Sequence, residues 1–386
     1  MRRLVLLASA CVFFDVAFFA AIAPLLPDYV DSLGLTKAEA GVLSAAYAAG
    51  TLVASLPAGL VASRVGPKRS VIAGLITLGF ASLVFGFAEE ILLLDAARFV
   101  QGVAGALIWS GAMSWLIMAA PDEKRGSVIG AALGTAVAGA LLGPALGAAA
   151  GSIGTEAVFS SVLVLTAVLA FAASRLPDAG MPERQSLREI GAAFTNRRLI
   201  DATTFVAVPS MMFGAIEVLV PLRIDDLGGS HGVIAAGFIA GAGLEAVLAP
   251  LAGRLSDRIG RRAPYVVGLT ICSLAMVVVG LAATLGLVLT SLVITSLGAG
   301  LCFAPALTLL SEIAESTSLH QGLAAGLSNM AWASGQVVGG VGGGVVASFS
   351  GNGPPSIAIA IVCLCTAAYA FVALDAGVPV QLVEDR

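Results

Sequence analysis

Cut at its charges and turn residues, the chain falls into twelve apolar segments, each near the roughly 20 residues that a helix needs to cross a bilayer. They run about 4–27, 38–62, 70–88, 91–119, 126–150, 155–174, 199–222, 232–254, 265–285, 288–311, 321–348 and 355–375, with ends good to a few residues. The pattern predicts an all-α membrane protein with twelve transmembrane helices, here called spans one to twelve.

The pattern also repeats. Read 194 positions further on, Ile22 falls on Ile216, Pro27 on Pro221, Asp31 on Asp225, and Leu33 and Gly34 on Leu227 and Gly228. The match continues through Gly59 on Gly253, Arg64 on Arg258, Gly66 on Gly260, Lys68 on Arg262 and Gly74 on Gly268. A duplicated unit predicts two pseudo-symmetric six-helix bundles, residues 1–174 and 199–386, joined by a linker at 175–198. That linker is polar and carries Leu187, Ile190, Ala193 and Phe194 at helical spacing, as either a surface-lying amphipathic helix or a solvated connection.

Composition agrees with lipid as the medium: 58% of residues are hydrophobic and 11% charged, against about 25% charged in soluble domains. The net charge of −4 is confined to short connections and forms no basic stripe, so nucleic-acid binding is excluded. Cys11, Cys272, Cys302, Cys363 and Cys365 all lie in apolar runs, which argues against a disulfide framework or a zinc site. Arg2 and Arg3 before an apolar run have the look of a secretory or twin-Arg signal, but that run continues unbroken to Pro24, the length of a spanning helix.

Lysine and arginine set the expected orientation. Seventeen fall on one face, from Arg2 and Arg3 to Arg386, and two, Lys37 and Arg223, on the other, leaving Arg98 within the membrane. Both termini are therefore expected in the cytoplasm. The opposite loops contain no Asn-x-Ser/Thr sequon, which favours a bacterial or archaeal cell membrane.

Four charges stand near the middle of spans, toward the bilayer centre: Asp15, Arg98, Glu217 and Glu245. At roughly 2.5 to 3.5 kcal/mol each on insertion scales, they represent an insertion penalty of about 10 kcal/mol, so something other than folding retains them. Asp15 lies about 16 Å into span one at 1.5 Å per residue, among Phe14, Phe18 and Phe19. Burial disfavours the ionised form of such a carboxyl, which suits it to carry a proton; alternatively it pairs with Arg98 and fixes helix packing. Arg98 opens the stripe Arg98, Gln101, Gly105, Trp109, spaced by 3 and 4 along one helix face. It acts on its neighbours there or serves as half of a structural ion pair, with Asp95 the other local partner. Glu217 and Glu245 either shuttle protons and touch a cationic substrate, or snorkel and pack. Glu312, at the end of span ten, is expected to be solvated.

Span five carries Gly130, Gly139, Gly143, Pro144 and Gly147, and span eleven echoes it with Gly335, Gly339, Gly340 and Gly343. Small residues permit close helix approach and the proline bends the helix, the ingredients of a rocking contact. Gly59, Arg64, Gly66, Lys68 and Arg69 form a basic turn after span two. Gly253, Asp257, Arg258, Gly260 and Arg262 repeat it after span eight, as either plain anchoring or a charge latch.

Together these features resemble the major facilitator superfamily over the whole chain. Gly59-Leu-Val-Ala-Ser-Arg-Val-Gly66-Pro-Lys-Arg69 resembles the family's G-x-L-a-D-R-x-G-r-k motif, Arg98-Phe-Val-Gln101-Gly102 its R-x-x-Q-G motif, and the span-five pattern the motif of its drug:proton antiporters. Asp15 followed by Pro24 and Pro27, and Glu217 before Pro221, are similar to vesicular amine transporters and their bacterial relatives. Three positions depart: Ser63 replaces the acid of the first motif, while Asp257 keeps it in the second; Tyr47 stands where the amine transporters have a lysine; spans ten and eleven offer Phe303 and Asn329 in place of acids. The resemblance implies a cavity between two bundles, alternating access by rocking, and export of an organic cation or lipophilic drug in exchange for protons. The alternative is proton-coupled transport of a sugar or other neutral metabolite.

On this reading the proton-coupling residues are Asp15, Arg98, Glu217 and Glu245, and the substrate site adds Phe18, Phe19, Gln101, Trp109, Asn329, Trp332 and Gln336, whose rings suit organic cations. The proton gradient is the energy source; no cofactor or metal is expected, and the chain should work as a monomer in lipid. An enzyme is not expected, because His231 and His320 lie near loops on opposite sides with no catalytic spacing to unite them.

Overall fold

A computed structural model describes residues 2–121, 125–180, 191, 195–316 and 321–374 of the 386. It is built from twelve long helices in the expected order. Span one runs Arg2–Leu33, then Lys37–Val65, Pro67–Phe87, Ile91–Ala119, Arg125–Ile153, Thr155–Ser174, Arg197–Asp226, His231–Ile259, Arg262–Leu281, Leu285–Ser316, Gln321–Ser350 and Gly353–Ala373 as span twelve. Among the described residues, eleven of these are long and apolar enough to cross a membrane. Span eleven has the length, but Asn329, Gln336 and its glycines dilute its apolar character. Leu187, Ile190, Phe194 and His320 lie outside the described residues.

Several helices outrun their apolar segments, because hydrogen-bond chemistry, and not hydropathy, ends a helix. Thr36 and Glu39 form a capping box that starts span two, and Asn196 accepts from the backbone of Arg198 and Leu199 to start span seven. Span two continues through Gly59, Ser63 and Arg64 to Val65, so most of that expected turn is helix; the chain reverses at Gly66 alone, with φ +96°. Gly260, with φ +85°, does the same after span eight. A side chain at either position would be strained.

Each half has its own apolar core. One draws on spans one to six and takes in Val218 and Leu222 of span seven; the other draws on spans seven to twelve and packs against Leu56 and Leu60 of span two. The seam between them follows span two on span eleven and span five on span eight. Among the described residues the twelve helices run alternately up and down, so Arg2 and Ala373 end on one face, here called the terminal face, which also carries the Gly66 and Gly260 turns. The turns at Gly34 and Gly228 lie on the opposite face.

The span-five glycines sit within one half: Gly139, Gly143 and Gly147 face the backbone of Phe13, Ala17 and Ala21 on span one. Gly335 and Gly339 face Ala207 and Met211 on span seven in the same way, while Gly340 also meets span two at Gly41 and Ala45. Span two approaches span four as closely, with Gly102 against the carbonyl of Tyr47 and Thr51 Oγ1 donating to Gly102 O at 3.1 Å.

Substitution Gly102→Leu should separate these spans and cost about 1–3 kcal/mol by overpacking, seen as a lower Tm of the purified chain in detergent. Gly59→Ala puts its methyl into open space and should leave Tm unchanged or slightly higher. Equal losses in the two variants would contradict the close approach.

Candidate functional site

Asp15 has no exposed surface and faces spans two and four, not lipid. Tyr47 donates its hydroxyl hydrogen to Asp15 Oδ1 at 2.9 Å, and Trp109 reaches the same carboxyl. Both contacts require the gap left by Gly105, where an added Cβ would collide with the Tyr47 hydroxyl and crowd Asp15. Tyr47 is the residue that sequence reasoning passed over as a site member. Its signal was a lone ring with a hydroxyl among the alanines and glycines of span two.

Arg98 is 1% exposed, and among the described residues no ion pair joins it to Asp15 or Asp95. Its partners follow from the break in span one. The helix ends at Ala20 and resumes as a 3-10 turn at Ala23–Leu25, with Pro24 and Pro27 supplying no N–H. A helix end leaves its last carbonyls without partners. Arg98 donates to two of these, Phe18 O at 3.4 Å and Phe19 O at 3.2 Å, and to Gln101 Oε1 at 3.1 Å. Gln101 in turn donates to Ser82 Oγ at 3.0 Å. The guanidinium lies 5.2 Å from the Tyr47 ring centre and 5.9 Å from that of Phe19, within cation–π range.

The second half supplies Glu217, which is deep in span seven yet part-exposed. Gln336 of span eleven hydrogen-bonds it, and the charge of Arg98 acts on it across the seam. Gln336 itself is buried with Oε1 unpartnered. Beside it, Trp332 meets Phe19 edge-on, ring centres 5.3 Å apart, and Phe19 packs on Tyr47 at 4.9 Å. Asp15, Arg98 and Glu217 thus gather with Gln101, Trp109, Gln336 and three seam rings.

Other expected members lie elsewhere. Glu245 faces span ten at Gly300, inside the second half. Phe18 turns away from the seam into the first core, against Phe159 at 6.3 Å, because successive helical side chains point about 100° apart. Asn329 is part-exposed on span eleven, one turn before Trp332. On the terminal face, Lys68 Nζ donates to Ser174 O and Leu176 O at 2.8 and 2.6 Å. Its repeat partner Arg262 stacks 4.6 Å over Phe371. Each fastens its turn to the last span of its own half, and among the described residues Arg64, Arg69, Asp257 and Arg258 make no ion pair. Glu312 keeps 40% of its side chain exposed, in line with the expected solvation, and is also gripped by both terminal nitrogens of Arg261. All five cysteines are unpaired, four of them buried.

Known proteins give this arrangement a family. The family model described as "Major Facilitator Superfamily" matches residues 5–314 and 210–384. An uncharacterized MFS-type transporter of Methanocaldococcus jannaschii is 28% identical over 109 residues, and the quinolone resistance protein NorA of Staphylococcus aureus is 26% identical over 109 residues. Each match covers 28% of this chain and 28% of the relative. In fold, the chain is similar to a bacterial homolog of the human lysosomal transporter Spinster, in an inward-facing and occupied conformation. The TM-score is 0.79 at 16% identity, covering 96% of each chain. It is also similar to a D-xylose-proton symporter, with a TM-score of 0.75 at 16% identity over 96% of this chain and 97% of that one. These relatives are transporters and not enzymes, and this chain belongs to the Major Facilitator Superfamily.

Proposed function

We propose that this transporter exports organic cations or lipophilic drugs in exchange for protons, by alternating access. The observation that carries the reading is the gathering of two carboxyls, Asp15 from one half and Glu217 from the other, around Arg98 and a set of aromatic rings. A carboxyl can take up and release a proton, whereas an arginine keeps its own. Arg98 therefore serves as the fixed charge against which Asp15 and Glu217 exchange protons or a cationic substrate. Phe19, Tyr47, Trp109 and Trp332 offer ring faces to such a substrate. Gln101, Gln336 and Asn329 add neutral polar contacts. Glu245 is a second proton stop inside the moving half.

The halves 1–174 and 199–386 are the bodies that rock, with 175–198 as their connection. The basic turns at Gly66 and Gly260 and the glycine contacts of span five hold each body together as it moves. Terminal-face lysines and arginines support a cell-membrane location with both termini on the cytoplasmic side, and a monomer with no cofactor is the working unit. The similarity to NorA, over part of the chain, supports the drug class. Complete enclosure of Asp15, with Gln336 and Trp332 at the seam, favours a second reading, proton-coupled transport of a sugar or other neutral metabolite.

Three measurements separate these readings. In proteoliposomes, efflux of an amine or dye should follow an imposed pH gradient, and Asp15→Asn should reduce it to the level of protein-free vesicles. Undiminished efflux in that variant removes Asp15 from the coupling step. Loss of a charged hydrogen-bonding group is worth about 1.5–3 kcal/mol, so Glu217→Gln should weaken cation binding by roughly tenfold or more. A thermal-protection screen of amines, dyes and sugars at two pH values should show protection by amines or dyes; protection by sugars alone selects the second reading.

A further inference from the structure

The face opposite the termini carries a device that the transport reading does not use. Lys37 is the first residue of span two and His231 the first of span eight, and they occupy equivalent positions of the 194-residue repeat. Each reaches across the seam to an acid at the end of the other half's opening span. Lys37 Nζ lies 3.9 Å from Asp226 Oδ2 of span seven, and His231 Nε2 lies 2.7 Å from Asp28 Oδ1 of span one. Lys37 also donates to Asn352 Oδ1 at 2.9 Å, and the backbone N–H of Ala38 to Ser348 Oγ at 2.8 Å. These contacts close the seam between spans two and eleven beside the first tie.

We propose that this face is held shut by two ties whose cations occupy repeat-related positions, Lys37–Asp226 and His231–Asp28, and that the histidine tie makes its closure respond to pH on that side. All four side chains are between 30% and 49% exposed, so the bathing solution reaches them. A lysine stays charged across the physiological range, whereas an imidazole changes charge between about pH 5 and 8. Duplication has thus placed a permanent cation at one position and a titratable one at its equivalent.

The surroundings of His231 reinforce the direction. Asp28 holds it from the end of span one, and Asp225, itself close to Asp28, Asp31 and Asp226, interacts with it from the end of span seven. Span five contributes the uncharged Gly151, close to both His231 and Asp28, and Glu156 beyond it stands near Tyr29 of span one. An imidazolium among these acids is drawn to Asp28. A neutral ring keeps a hydrogen bond but loses the charge attraction. The charge attraction exists only while the ring holds its second proton and the carboxyl is ionised, so the tie loosens as the ring is deprotonated.

Hydrogen–deuterium exchange of the full chain in lipid nanodiscs tests this at about pH 5.5 and pH 8, after correction for the intrinsic pH dependence of exchange. An exposed pair is worth roughly 0.2–1 kcal/mol, so exchange in the turns before Lys37 and His231 should be about 1.4- to five-fold faster at the higher pH. His231→Lys should be protected at both pH values and His231→Gln at neither, each without the step. Lys37→Gln should raise exchange at both while keeping the step, and Asp15→Asn should keep it too, which separates this device from proton coupling. A wild-type chain with no step overturns the proposal, as does a step that persists in His231→Gln; that second variant decides the matter even where His231→Lys fails to fold.

Discussion

The structure turns on one contact, the Arg98 guanidinium against the broken end of the first helix. Pro24 and Pro27 interrupt span one and leave the carbonyls of its last turn without backbone donors. In a bilayer core no water replaces them, and each unsatisfied group costs several kcal/mol. Arg98 supplies hydrogens to Phe18 O and Phe19 O from the neighbouring span. Its insertion penalty is offset by the carbonyls it satisfies, and the positive charge suits the negative end of a helix dipole. Because Arg98 is committed there, Asp15 turns to Tyr47 and Trp109, and two opposite charges close in space stay unpaired.

Duplication explains the scaffold and not the chemistry. Positions 194 apart share turns and packing: Gly34 and Gly228, and Gly66 and Gly260, all have positive φ. Lys68 and Arg262 each fasten a turn to the last span of its half. The polar cluster breaks this symmetry. The repeat partner of Arg98 is Leu292, buried in the second core, and that of Asp15 is Pro209, also buried. Glu217 answers to Ala23, in the 3-10 turn of the broken helix. One half therefore contributes an acid and a fixed cation, the other an acid and an amide, and the site exists only where the unlike halves meet.

This division also marks what was legible in the sequence. Helix number, order and repeat follow from hydropathy, since lipid forces every crossing to be a long apolar helix. The stripe Arg98, Gln101, Gly105, Trp109 was legible for the same reason, being set by helical period alone. Partners across helices were not. Which carbonyls Arg98 would find, that Tyr47 would reach Asp15, that Phe18 would turn inward while Phe19 met Trp332, and that Arg261 would grip Glu312 all depend on the rotation and depth of one helix against another. No period within a single span encodes those. Gly66 shows the boundary case: the motif was visible, but its extent as helix depended on where hydrogen bonding ends.

The seam location has a consequence for coupling under the transport reading. Asp15 and Arg98 are fixed to one body and Glu217 to the other, so any tilt of the halves changes the distance between Glu217 and the Arg98 charge. Coulomb attraction falls with distance and with water entry, which raises the local dielectric constant. The proton affinity of Glu217 must then depend on how far the seam is open, and by linkage the opening must depend on whether Glu217 holds a proton. Asp15 lacks this dependence on rigid-body tilt, because its partners Tyr47 and Trp109 move with it. Exchange at Asp15 requires those two side chains to shift, whereas exchange at Glu217 follows from the movement of the halves themselves. The two acids are thus suited to different steps of one cycle, the first gated by side chains within a bundle and the second by the separation of the bundles.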